Sequence, residues 1–204
     1  MYKIYGMTTS GNCYKVRLLL AHLDQPYDWE EIPSTRVAPR TPEFLAMSPI
    51  GKVPVLQLDD GQVLPESNAI LAYLADGTDF MPAGLLDRAR ALAWMFFEQN
   101  GHEPYLAIAR TIRKNYPENH PRWGELPGLM KKGIAALGVM DQHLGRHDWF
   151  AGGRYSVADI SLFAYTHVAS DGGFDLDAFP AVSRWLDRVQ VMPRFVPLSQ
   201  PPGG

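Results

Sequence analysis

Residues 51–70 read GKVPVLQLDDGQVLPESNAI, and the reading of this stretch decides the fold. Val55 to Leu58 and Gln62 to Leu64 are short apolar runs around Asp59-Asp60-Gly61, a strong turn signal, so they predict a β-hairpin. Residues 67–75 (SNAILAYLA) follow at once as a helix. Working back, Thr41-Pro42-Glu43 predicts a short helix, with Thr41 as N-cap and Pro42 at the first helical position, where its missing N–H costs nothing. Asp28 to Ile32 reads as a strand. Residues 13–23 place Val16, Leu19, Leu20 and Leu23 at helical spacing and predict an amphipathic helix. Lys3-Ile4-Tyr5 is a first strand. The order β-α-β-α-β-β-α over residues 1–76 is a small α/β layer structure.

Forward of this stretch the pattern changes. Residues 77–85 are rich in Gly and Pro and read as a linker. Residues 86–204 predict long helices and no strand. One spans 86–115 with a bend near Gly101 and Pro104, another 124–145, and a further helix runs from Pro180 to Val191. Ser156-Val157-Ala158-Asp159 stands before an apolar run as a capping box, with Asp in place of the preferred Glu. On this reading Asp159 is a structural cap. The tail PLSQPPGG is expected to be mobile.

Composition bounds the function. The 204 residues weigh 22.8 kDa and are 46% hydrophobic and 20% charged, as in ordinary globular chains. Nineteen Lys/Arg against 22 Asp/Glu give a net charge of −3, which argues against a general nucleic-acid binder. No stretch approaches the roughly 20 apolar residues that cross a bilayer, so no membrane partner is expected. The N-terminus shows no signal-peptide pattern. The single cysteine, Cys13, forms no internal disulfide, and a cytoplasmic location follows as the simplest expectation.

An α/β domain of this order followed by an all-helical domain resembles the cytosolic glutathione transferases. The motifs that carry the resemblance are Gly51-Lys52-Val53-Pro54-Val55-Leu56, Pro65-Glu66-Ser67-Asn68-Ala69-Ile70, Thr41-Pro42-Glu43-Phe44-Leu45 with Ser48-Pro49, and Ser156-Val157-Ala158-Asp159. Phe97-Glu98-Gln99 and Glu103-Pro104-Tyr105 look most like bacterial, theta-like or nu-like members. The resemblance implies a thioredoxin-like domain that binds glutathione as co-substrate, a helical domain that supplies a second-substrate pocket, a homodimer, and a role in detoxification.

It also implies site residues. Val53 and Pro54, joined by a cis peptide in the family, would present the Val53 N–H and C=O to the cysteinyl part of glutathione, as in strand addition. Glu66 and Ser67 precede a helix, whose N-terminal N–H groups attract anions. There the γ-glutamyl carboxylate would accept from the Ser67 N–H and hydroxyl, with Glu66 on the γ-glutamyl ammonium. Arg40 or Lys52 could reach the glycyl carboxylate.

The thiol must be activated, because near pKa 8.5 it is mostly protonated at neutral pH. Two groups compete for that task in the loop Thr8-Thr9-Ser10-Gly11-Asn12-Cys13. Ser10 stands at the family's catalytic-serine position and would donate a hydrogen bond to the sulfur, giving conjugation. Cys13 would instead form a mixed disulfide with glutathione, giving disulfide reduction or peroxide chemistry. Thr9 or backbone donors are a third choice.

Met7, Tyr105, Ile108, Ile112 and Tyr116 are candidate walls of the pocket for an electrophilic or peroxide substrate. Trp94 to Phe97 reads as core or dimer interface. No metal is required: His143 and His147 have ligand spacing but no third partner nearby. The rival from another class is a non-catalytic interaction protein on the same fold, which need not keep the glutathione contacts.

Overall fold

The computed structural model describes residues 1–38 and 40–202. The chain divides into two units, Met1–Asp76 joined by the chain from Pro193 onward, and Gly77–Met192.

The first unit carries four strands, β1 (Tyr2–Gly6), β2 (Tyr27–Glu31), β3 (Val55–Gln57) and β4 (Val63–Pro65), and three helices, α1 (Gly11–His22), α2 (Pro42–Met47) and α3 (Ser67–Ala75). Strand order is β2-β1-β3-β4. β1 runs parallel to β2, with Ile4 opposite Trp29, and antiparallel to β3, with Ile4 opposite Leu56. A parallel neighbour needs a crossover, and α1 supplies it. The β3–β4 hairpin turns at Gly61, whose φ of 84° suits glycine, and Leu58 N donates to Gln62 O at 2.8 Å. At the end of β1 the Trp29 indole lies over Gly6, where a Cβ would come within 2.2 Å of the ring. Thr41 caps α2 by accepting from Phe44 N at 3.2 Å.

Two expectations change here. α1 is not amphipathic: every residue from Cys13 to Leu20 is buried, Lys15 and Arg17 included. α3 packs along it, and the returning chain closes over it. The second change is that returning chain. Tyr14 Oη donates to Val196 O at 2.7 Å, Arg17 donates to Gln200 O, and His22 Nδ1 lies 2.8 Å from Pro193 O. Residues 193–202 are therefore tied to α1 rather than loose; Gly203 and Gly204 lie outside the described residues.

The second unit is helical: α4 (Leu85–Phe97), α5 (Glu103–Asn115), α6 (Leu126–Leu144), α7 (Val157–Thr166) and α8 (Pro180–Gln190). The expected long helix over 86–115 is broken by a π-helical turn at Glu98–His102, just before Pro104, which cannot donate back into a regular ladder. Its core gathers Met95, Leu106, Ile112, Leu137, Phe163 and Trp185, all nearly or fully buried.

Asp159 joins three segments of that core. Its Oδ2 accepts from Ser156 N at 3.0 Å and Ser156 Oγ at 3.1 Å, completing the capping box. Its Oδ1 accepts from Phe150 N at 3.2 Å and from Trp185 Nε1 of α8 at 3.0 Å. Burial pushes its carboxyl up to about 7 while these four donors pull the other way.

Candidate functional site

The loop after β1 and the start of α1 hold the two rival thiol-activating residues. Ser10 is the N-cap of α1 and half-buried, and its Oγ accepts from Cys13 N at 3.4 Å. A hydroxyl that accepts in this way still has its proton to donate. Thr9 is exposed. Thr8 braces the loop: its N–H and hydroxyl donate to the Glu31 carboxylate at 3.0 and 2.7 Å, and Trp29 Nε1 donates to the same group at 2.8 Å.

Cys13 points inward. It is fully buried, its Sγ accepts from Met7 N at 3.3 Å, and desolvation pushes its thiol up to about 11 against the pull of that hydrogen bond and of Ser10. A reactive cysteine needs access and a depressed pKa, and Cys13 has neither. The mixed-disulfide reading of Cys13 loses its physical basis here.

A second cluster forms between α1 and α3. The Val53–Pro54 peptide is cis, Val53 is half-buried and Pro54 is buried. Glu66, the exposed N-cap of α3, sits at φ 75° and ψ 113° and makes no capping side-chain bond. Ser67 is 3% exposed. Its hydroxyl donates to Asn12 Oδ1 at 3.3 Å and accepts from Lys15 Nζ at 3.4 Å. Lys15 Nζ also donates to Asn68 Oδ1 at 3.4 Å. The Ser67 proton is thus already directed at Asn12. The backbone N–H groups of this helix start stand beside that hydroxyl.

Arg40 has partners within its own unit. Its Nε donates to Gly51 O at 2.9 Å, another guanidinium nitrogen donates to Pro33 O, and the group lies 5.3 Å over the Phe44 ring. These contacts brace the segment leading to Val53. Lys52 is exposed, and its carbonyl accepts from Ser48 Oγ at 3.0 Å.

Among the pocket candidates, Met7 is half-buried beside the first loop. On α5, Tyr105 and Ile108 are half-buried, with Lys132 Nζ 5.2 Å from the Tyr105 ring. Ile112 has no exposed surface, so it is core and not wall. Tyr116 follows α5 with its ring 4.4 Å from that of His120. A cavity of about 690 Å³ borders α1, β2 and the returning chain, lined by Arg17, Leu20, Trp29 and Val196 among others, and none of the candidate residues lines it. Among the described residues no group of three or more His, Cys, Asp or Glu could hold a metal, and no helix is long and apolar enough to cross a membrane.

Two family models match this chain. Residues 4–79 match the glutathione S-transferase N-terminal domain and residues 124–188 the C-terminal domain. A crystal structure of a glutathione S-transferase from Pseudomonas fluorescens Pf-5 is 48% identical, with a TM-score of 0.93, covering 98% of this chain and 99% of that one. The chain belongs to the glutathione S-transferase family.

The first unit is therefore the family's thioredoxin-like domain, a four-stranded mixed sheet, and the second its helical domain. A further family member from the same organism, solved with two glutathione bound, is 28% identical over 95% of this chain and 89% of its own, with a TM-score of 0.81. Relatives of this glutathione S-transferase family member differ in activity. The disulfide-bond oxidoreductase YfcG of Escherichia coli K12 is 28% identical over 89% of this chain and 87% of its own.

Sequence reasoning missed Lys15 and Glu31. The one available signal was a pair of cations, Lys15 and Arg17, inside the otherwise apolar run CYKVRLLL.

Proposed function

We propose that this protein is a glutathione transferase that activates the glutathione thiol through Ser10 and delivers it to an electrophilic small molecule. The observation that carries the reading is the contrast at the start of α1: Cys13 is fully buried, while Ser10 is half-buried at the helix N-terminus. The Ser10 hydroxyl donates to the glutathione sulfur as it loses its proton to solvent. The positive end of α1 favours the same anion. The thiolate then forms a bond to an electrophilic carbon, and the leaving group departs with its electron pair. Both effects grow as charge develops on sulfur, so they accelerate the reaction beyond simple binding.

Glutathione is held by its peptide groups against Val53 and by its γ-glutamyl end at Glu66 and the first turn of α3. Lys52, exposed beside Val53, is the cation for the glycyl carboxylate. Met7, Tyr105, Ile108 and Tyr116 are the residues proposed to meet the second substrate. Detoxification in the cytoplasm is the setting this chemistry fits. A homodimer is supported by α4, whose Leu85, Leu86 and Phe96 are 86%, 62% and 66% exposed. Trp94, by contrast, packs inward, 4.7 Å from the Phe150 ring.

Comparing two variants tests the assignment. Ser10→Ala should lose conjugation of an aryl halide while binding glutathione nearly as well, and Cys13→Ala should keep it. Retained activity in Ser10→Ala would end the serine reading. Loss in a folded Cys13→Ala would revive the cysteine.

A further inference from the structure

Lys15 lies in the middle of α1, in a helix buried on all sides, and has no exposed surface. Burying an ammonium is expensive unless its hydrogen bonds are met. Its Nζ donates to two side chains of the first turn of α3, Ser67 Oγ and Asn68 Oδ1, each at 3.4 Å. The first of these passes the interaction on, because Ser67 donates to Asn12 Oδ1 at 3.3 Å. The Lys15 Nζ is therefore fastened beneath the N-terminus of a nine-residue helix. That helix end carries partial positive charge of its own, and Glu66 leaves it without a side-chain cap.

We propose that Lys15 is a positioning residue for the γ-glutamyl carboxylate of glutathione, an inference that rests on reading Glu66-Ser67 as the γ-glutamyl site. It acts in two ways. Its hydrogen bonds to Ser67 and Asn68 hold the first turn of α3, and so the backbone N–H groups that meet the carboxylate. Its charge adds to the helix end, and in a desolvated setting it acts at longer range than an exposed lysine would. Lys15 itself does not touch the ligand: Ser67 stands between. The design also accounts for the Ser67 hydroxyl, which accepts from Lys15 and gives its proton to Asn12, leaving the Ser67 amide for the ligand.

A role in ligand charge separates from a role in folding by changing both partners. Calorimetric titration would compare wild type and Lys15→Met with two ligands: glutathione, and glutathione whose γ-glutamyl carboxylate is replaced by a carboxamide. Lys15→Met should weaken glutathione about ten-fold or more, and should change the carboxamide's affinity much less. Equal losses for the two ligands, or no loss for either, would overturn the role of Lys15. No binding of glutathione by wild type would instead overturn the reading of the site. If Lys15→Met does not fold, the wild type labelled with 13C-lysine gives the same decision. The Lys15 side-chain resonance should shift with glutathione and stay in place with the carboxamide, and an identical response to both would reject the proposal.

Discussion

The Ser10 hydroxyl accepts from the Cys13 backbone N–H at 3.4 Å, so the two residues that compete for the sulfur chemistry are joined across the first turn of one helix. The bond holds Ser10 outside the helix as its cap and Cys13 inside it. From there the Cys13 side chain turns into the core, where its sulfur meets the Met7 amide at 3.3 Å.

Cys13 should be inert in the native protein. It is the only cysteine, so a thiol reagent reads it alone. An aromatic disulfide reagent at pH 8 should label the folded chain far more slowly than the chain in denaturant. Because the folded thiol is raised from 9.0 to about 11, its contribution to stability is full below pH 9 and is lost as pH rises through about 11. Rapid labelling of the native protein would show that the thiol is reachable.

Ser10→Ala should change two measurements independently. As a lost N-cap it should lower stability by about 1 kcal/mol. As a lost donor to sulfur it should cut kcat/KM for conjugation roughly ten- to hundred-fold, the scale of one hydrogen bond to a charged group. The rate profile against pH should move to higher pH, since the bound thiol is then less acidic. Ser10→Thr should restore both. A stability loss with an unmoved pH profile would leave Ser10 a cap only.

Asp159 gives a pH dependence in the second unit. Its folded carboxyl, raised from 3.8 to about 7, holds its proton more tightly than the unfolded group does. Its contribution is therefore fully present below pH 3.8 and is lost as pH rises through about 7. Wild type should melt at a lower temperature at pH 8 than at pH 5 by this group's share, and Asp159→Asn should lose that part of the slope. The substitution should also cost about 1–3 kcal/mol, because an amide cannot accept from all four donors. Parallel Tm–pH curves for the two proteins would contradict this.

Light scattering at micromolar concentration should report about twice the 22.8 kDa chain mass. Phe96→Asp, on the exposed face of α4, should shift the protein toward the single-chain mass without changing its helical signal. A monomeric wild type would remove the dimer and require another reason for an apolar residue 66% exposed.

The elements that were legible in the sequence are those specified within a few residues. Gly61 marks the hairpin, Thr41-Pro42 starts α2, and Ser156 with Asp159 starts α7; in each case the signalling residue and the group it serves are close neighbours. The break at Glu98–His102 was half-legible, since Gly101 and Pro104 announce a bend but not a π-helical turn.

What the sequence by itself determined was the order of elements and the boundary near Asp76, because local propensity and spacing carry that information. Only the tertiary structure decided which way side chains face once α1 is enclosed. Lys15 gains its partner Ser67 only when α3 lies against α1, 52 residues away in sequence. Arg40 reads as a free cation until the Gly51 carbonyl takes its Nε. Cys13 reads as a candidate nucleophile until burial raises its thiol. Burial and long-range hydrogen bonds belong to the packed chain, so no window of neighbouring residues contains them.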